Sequence, residues 1–230
     1  MAEIAGSISR RERGKDARRT RIVDAACALT REVAMADISV KMIADRADVS
    51  PATVYNLFGA KGAVIAKVYE RDLLLFERRV LETPSADPLE AMFDAASIAC
   101  DLYRADPSFY RAILSVRDAG LDRDMVLATY LARVAFWRKM VVAAAAAGLL
   151  VPDASPERLG VLIIQVSTGA LSRWVVNIVD IDTFEQESRF GLAACLLPFA
   201  TDRGRAILQA RLREAEAALA APRLKELPAS

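Results

Sequence analysis

SVKMIADRADVSPATVYNLFGAK, residues 39–61, holds two short helices and the turn that joins them. Ser39 is a good N-cap: its hydroxyl can accept a hydrogen bond from an otherwise unpaired N–H of the first turn. Val40, Ile43, Ala44 and Ala47 then recur at i, i+3, i+4 and i+7, which builds one apolar face at the helical period. Ala47-Asp48-Val49 interrupts the pattern. A second helix opens at Ser50 with Pro51 in its first position, where the missing N–H costs nothing. It turns Val54 and Leu57 inward and stops at Gly59. The outer face is small, polar and aromatic. Ala52 permits close approach, and Thr53, Tyr55 and Asn56 can bond to phosphate oxygens or base edges. Two short helices about a tight turn, the second so faced, predict a helix-turn-helix that reads a DNA groove.

Toward the N-terminus, a helix is predicted over 17–33, with Ile22, Ala25, Ala26, Leu29 and Val33 on one face. Ahead of it, Arg10 to Arg21 contains seven basic residues and two acidic ones, a local net charge of +5. Residues 1–16 are expected to form a basic flexible arm, an electrostatic handle for phosphates. Toward the C-terminus, helical patterns cover 60–81, 89–105, 107–118, 121–147, 156–179, 183–199 and 202–220. Their breaks fall at Thr83–Pro88, Asp106-Pro107, Gly120, Gly148 (a C′ residue), Ser155-Pro156 and Pro222. A bend is expected at Pro198. No strand alternation, hairpin turn or internal repeat stands out. The fold class is therefore all-α: a three-helix N-terminal domain over 17–62, a larger helical domain over 63–221, and a frayed tail at 222–230.

The chain has 230 residues, is 54% hydrophobic and carries a formal net charge of +1, so it can bury a core. It has no histidine, which removes Ser-His-Asp and Cys-His catalysis and every His-ligated metal site. Phosphate loops, nucleotide fingerprints and nucleophile elbows are absent, and the Asp122/Asp124 pair sits at a helix start, where acids are expected anyway. No enzyme activity, metal or cofactor is expected. Cys27, Cys100 and Cys195 are odd in number and far apart, as buried thiols of a reducing cytoplasm would be. The basic N-terminal residues lead into no apolar signal segment. The apolar run from Met140 to Val151 is too short to span a bilayer, and Gln165, Arg173 and Asn177 interrupt the stretch from Val161 to Val179. A cytoplasmic protein without membrane contact is expected.

Residues 17–68 resemble the tetracycline-repressor (TetR) family. That family reads Thr/Ser-Val-x-x-Ile-Ala, then Val-Ser, then Thr-Leu-Tyr-x-x-Phe, then Lys at the next helix start. This chain has Ser39-Val40, Ile43-Ala44, Val49-Ser50, Thr53-Val54-Tyr55-Asn56-Leu57-Phe58 and Lys61, preceded by Arg21-Ile22-Val23-Asp24-Ala25-Ala26. It departs in three places: Asp48 stands at the usual turn glycine, Val33-Ala34-Met35-Ala36 lacks the common glycine, and Gly62 replaces a frequent Glu. Asp tolerates the left-handed region, so the turn can survive. The resemblance implies that Thr53 and Tyr55 hold phosphates and that Lys61 meets one beside a helix N-terminus. Ser39, Lys41 and Ser50 are further candidates. Pro51, Ala52 and Asn56 would face the bases, Asn56 with the amide that can read adenine. Phe58 is expected in the core.

The resemblance also implies a homodimer, formed through the helices near 156–179 and 183–199, on a palindromic operator in double-stranded DNA. Small residues there (Gly160, Ser167, Gly169, Ala170 and Ser172, then Gly191, Ala193 and Ala194) would let helices approach closely. The larger domain would bind a small-molecule inducer, hydrophobic or amphipathic. Aromatic pocket candidates are Phe76, Phe93, Tyr103, Phe109 and Tyr110, followed by Tyr130, Phe136, Trp137 and Trp174. Gln165 and Thr168 are candidate polar anchors. Regulation by a protein partner without a ligand, and activation instead of repression, remain open at this stage.

Overall fold

Side-chain caps start most of the helices. A computed structural model describes residues 10–115 and 123–220. Ser39 Oγ accepts from Met42 N at 3.2 Å and opens α2 (Val40–Arg46). Ser50 Oγ accepts from Thr53 N at 3.2 Å and opens α3 (Pro51–Phe58). Asp87 caps α5 (Pro88–Ala105), Ser155 caps α8 (Pro156–Val175), Asp180 caps α9 (Ile181–Leu196) and Thr201 caps α10 (Asp202–Leu219). The remaining helices are α1 (Arg10–Glu32), α4 (Lys61–Glu82), α6 (Pro107–Ser115) and α7 (Arg123–Ala146). No strand occurs among the described residues, and the fold is all-α as expected.

Three boundaries differ from the sequence reading. Helix α1 begins at Arg10, so residues 10–16 are helical and not a flexible arm. Arg, Lys and Glu are good helix formers, and Glu12 sits in the first turn, where the helix dipole favours an acid. Helix α8 ends at Val175, short of 179: Asn177 takes a left-handed φ of 64°, and Ile178 N closes the turn onto Arg173 O at 2.8 Å. Helix α9 gives way at Leu196 to a 3-10 turn over Leu197–Phe199, because Pro198 has no N–H to continue the ladder. The arm's residues 1–9, the proposed break at Gly120 and the tail at 222–230 lie outside the described residues.

The helix-turn-helix packs on α1 through Ile22, Ala26, Ile43, Ala44 and Val54, each at most 1% exposed. Met35 and Ile38 anchor the loop after α1 in the same core. This core continues through Val64, Ile65 and Val68 of α4 into Phe109, Ile113 and Trp174 of the larger domain. The two domains thus share packing along α1, α4 and α6. A second core, with Leu89, Phe93, Leu149, Ile163, Leu196 and Leu208, joins α5 and α7 to α10 at the far end. There the loops before α8 and α10 are stitched together, Val151 N donating to Phe199 O at 2.8 Å and Thr201 N to Leu149 O at 3.1 Å. Among the described residues no helix is long and apolar enough to cross a membrane.

Candidate nucleic-acid interface and internal cavity

Helix α3 is buried on one side and open on the other. Val54 is 1% exposed and roots the helix, whereas the neighbouring Tyr55 is 54% exposed. Pro51, Ala52 and Asn56 share the open side, and Phe58 and Leu57 pack partly against the core. Eight residues of α-helix extend only about 12 Å, short enough to enter a groove end-on. The turn before α3 holds because Asp48 takes φ 52°, a left-handed conformation that Asp accepts more readily than most residues.

The polar candidates are also placed. Ser39 and Ser50 spend their oxygen lone pairs on the caps of α2 and α3, yet a hydroxyl that accepts can still donate its own proton. Ser50 Oγ lies 2.9 Å from Thr53 Oγ1, so one of the two protons is used between them and the other can reach outward. Lys41 is exposed. Lys61 Nζ donates to the Ile38 carbonyl at 2.8 Å, which ties the start of α4 to the residue before the α2 cap. An ammonium has three donors, so this bond leaves capacity for a phosphate. Arg13, Lys15, Arg18, Arg19 and Arg21 are exposed along α1, the helical continuation of the basic run.

Between the domains, Arg31 is a hub. Its Nε donates to Asp106 Oδ2 at 2.6 Å, its Nη1 to Cys27 Sγ at 3.1 Å, and its guanidinium lies 4.8 Å from the centroid of the Phe109 ring. Close by, Tyr110 donates its O–H to Asp72 Oδ1 at 2.6 Å. Burial of Asp72 raises its pKa above the ordinary carboxylate value, against the opposing pull of that hydrogen bond and of Arg71. A carboxyl raised in the folded state favours folding most below its unfolded pKa, and that advantage is lost as pH rises through the folded pKa. Asp72→Asn keeps an acceptor for Tyr110 and removes the titration. Its stability relative to the parent should therefore increase as pH is raised from the acid range toward neutrality, read from thermal melting at successive pH values. A difference that is flat with pH would show that Asp72 titrates alike folded and unfolded.

Asp72 and Tyr110 also belong to the wall of an internal cavity of about 90 Å3 between α4, α5, α6, α7, α8 and α9. Phe76, Tyr103, Tyr110, Phe136 and Trp137 line it. The other pocket candidates lie elsewhere. Phe93 is buried in the second core, 5.5 Å below the Arg189 guanidinium. Phe109 packs on Tyr110 and under Arg31. Trp174, 2% exposed, stacks behind Tyr103 at 5.5 Å and supports the wall without forming it. Neither Tyr130 nor Thr168 reaches the lining, and Gln165 is exposed. Two residues turn a helix by about 200°, so with Ser167 on the cavity, Gln165 faces away from it. Sequence reading missed Tyr69, Asp72, Arg133 and Ser188 of the wall. A signal existed for Arg133, a charge three and four residues before Phe136 and Trp137 on one helical face.

Helices α8 and α9 carry an open apolar groove with Val166, Gly169, Ala170, Phe190 and Ala194 on its walls. Not all the small residues named for this face belong to it. A Cβ on Gly160 would stand 3.1 Å from Val134 O, so Gly160 serves the contact of α8 with α7. Ser167 turns to the cavity, and Ala193 is 0% exposed within the second core. Gly191 lets α9 close on α8, since a Cβ there would meet Val166 Cγ1 at 2.3 Å.

Comparison with known proteins agrees with this arrangement. Residues 22–68 match the profile of the family described as bacterial regulatory proteins, tetR family. An uncharacterized HTH-type transcriptional regulator of Mycobacterium tuberculosis is 42% identical over 65 residues, which is 28% of this chain and 30% of the relative. The chain thus matches less than a third of the length of that relative. Among solved structures, SmeT, the repressor of the Stenotrophomonas maltophilia multidrug efflux pump SmeDEF, superposes with a TM-score of 0.62 at 22% identity, over 80% of this chain and 91% of that one. NalD, the secondary repressor of the MexAB-OprM multidrug efflux pump in Pseudomonas aeruginosa, does so with a TM-score of 0.55 at 20% identity, over 83% and 99%. At that identity they establish a shared fold. Residues 22–68 are thus similar to the helix-turn-helix domain of the tetR family of bacterial regulatory proteins, and the chain as a whole shares the fold of SmeT and NalD.

Proposed function

We propose that the chain is a homodimeric, cytoplasmic DNA-binding repressor without catalytic activity. Two copies of α3 enter successive major grooves of a palindromic operator, and a small molecule in the cavity releases them. The observation that carries this reading is the exposed Pro51-Ala52-Tyr55-Asn56 face on a helix rooted by a buried Val54. The apolar groove of α8 and α9 supplies the dimer face, and a second copy would cover Phe190, which stands 37% exposed. Proteins of the same fold support this reading: SmeT and NalD are repressors of multidrug efflux pumps, and SmeT also forms a complex with triclosan.

Release requires a ligand that favours the conformer unable to bind DNA, since equal affinity for both shifts nothing. Helix α4 carries Tyr69, Asp72 and Phe76 to the cavity and Lys61 to the DNA side. A tilt of α4 changes the separation of the two α3 helices.

Lys61→Ala tests the DNA face. Each dimer loses two phosphate contacts, so the slope of log affinity against log salt should fall by about 1.8, at about 0.9 per contact. The loss should be alike for all DNA sequences, as measured by fluorescence anisotropy from low to physiological salt. Because Lys61 also bonds to Ile38, Lys61→Gln, which keeps a donor, and a melting curve separate charge from fold. A slope equal to the parent's in both variants would remove Lys61 from the interface.

A further inference from the structure

The wall of the cavity has polar groups that its own packing does not use. Ser188 on α9 is 8% exposed, lines the cavity, and its Oγ has no hydrogen-bond partner among the described residues. A buried hydroxyl left in that state is destabilising, and a ligand atom that bonds to it relieves the penalty. Arg133 on α7 also lines the cavity, beside Tyr69 and Tyr103, and among the described residues no carboxylate forms an ion pair with it. The one carboxylate of the wall, Asp72, already accepts the Tyr110 hydroxyl proton and lies in the field of Arg71, Arg31 and Arg79. Arg71 and Arg31 are themselves paired with Asp24 and Asp106, so the guanidinium left to meet a ligand on this wall is that of Arg133.

The apolar part of the wall is aromatic. Phe76 and Phe136 are 5.0 Å apart between ring centroids, and Phe136 and Trp137 are 5.3 Å apart and edge-on. Such rings take a further flat ring edge-to-face or offset. The cavity volume of about 90 Å3 lies below that of a cavity (about 150 Å3) known to accept benzene. A single ring therefore requires side chains of the wall to move, and larger bodies require a wider opening still.

Resting on the proposed ligand-released regulator, we propose that the cavity selects small aromatic acids. The ring packs among Phe76, Phe136 and Trp137, the anionic group binds Arg133, and Ser188 hydrogen-bonds a second polar atom of the ligand. The charge-assisted bond supplies the selectivity, because an unpaired guanidinium on an apolar wall gains more from an anion than from a neutral acceptor.

Benzoate, benzamide and benzylammonium, one shape with three charges, test this on the full chain by calorimetry and by release of bound DNA. Benzoate should bind more tightly than the other two by about tenfold or more, as expected for one bond to a charged group. Arg133→Gln should abolish that preference and leave benzamide within about twofold, whereas Arg133→Lys should retain part of it. Melting curves establish that the variants fold. Benzylammonium binding as well as benzoate, or a preference that survives Arg133→Gln, would overturn the acid class. Release of DNA by the neutral or cationic probe alone would do so too while leaving a ligand-released regulator in place. If none of the three binds at millimolar concentration, the cavity is not the ligand site, and the proposal falls with it. Failure to bind DNA would instead sink the regulator reading, and the calorimetric preference would still report on the cavity.

Discussion

Asn56→Ala is expected to lower affinity for the chain's own operator by about 1–3 kcal/mol per half-site, hence by about 2–6 kcal/mol for a dimer on a palindrome. Asn56 is exposed on α3, while Val54, two residues earlier, anchors the helix in the core. A side-chain amide in that place can meet the N6 and N7 edge of adenine with two hydrogen bonds. Alanine makes neither, yet it suits a helix better, so folding should change by no more than about 0.5 kcal/mol. Binding to unrelated DNA should hardly change, because phosphate contacts supply that term. Competition between operators substituted one base pair at a time is the measurement. The parent should discriminate at one symmetric pair of positions where the variant does not. If the variant keeps the full preference everywhere, Asn56 does not read a base.

Gly204→Ala is expected to destabilise the protein by about 3 kcal/mol, the upper part of the range for overpacked cores. Glycine to alanine in a helix ordinarily stabilises it, by about 0.5–1 kcal/mol, so the predicted sign is opposite to the local rule. The reason is position. A Cβ at Gly204 would lie 2.0 Å from Leu149 O, a backbone atom that cannot rotate away. The same carbonyl accepts from Thr201 N at 3.1 Å, and Thr201 in turn caps α10 and reaches Gly148 O at 2.8 Å. Pushing α10 away breaks the stitching between the loops before α8 and α10. Chemical denaturation of the parent and the variant gives the difference. Equal or greater stability in the variant would show that the close approach is not present in solution.

What could be read from the sequence was local. Helices α2 and α3 were legible because the caps Ser39 and Ser50, the N1 proline and the apolar period all lie within one short segment and agree. The start of α1 was missed because a run of Arg and Lys looks the same in a solvated arm and in a helix, and only the chain's path from Arg10 onward distinguishes them. The end of α8 was missed because one residue, Asn177, turns left-handed inside an otherwise apolar pattern.

The cavity wall and the groove of α8 and α9 were the least legible, since they depend on how each helix is rotated in the bundle. Ser167 and Gln165 are two residues apart, yet one lines the cavity and the other is exposed. Gly160 and Gly169 are alike in composition and differ in neighbour: one touches α7, and the other has no atom within 4 Å of where a Cβ would stand. Trp174, an aromatic pocket candidate from the sequence, stacks behind Tyr103 in the core instead of on the cavity.

The proposed regulator places two copies of α3 in successive major grooves. Selection of duplexes from a random pool by the purified chain, with the mass of each selected complex measured by sedimentation, tests it most directly. The expected product is an inverted repeat with half-site centres about one helical turn apart, roughly 34–36 Å, holding two copies of the chain. A chain that sediments as a monomer and retains no double-stranded DNA even at low salt would contradict it.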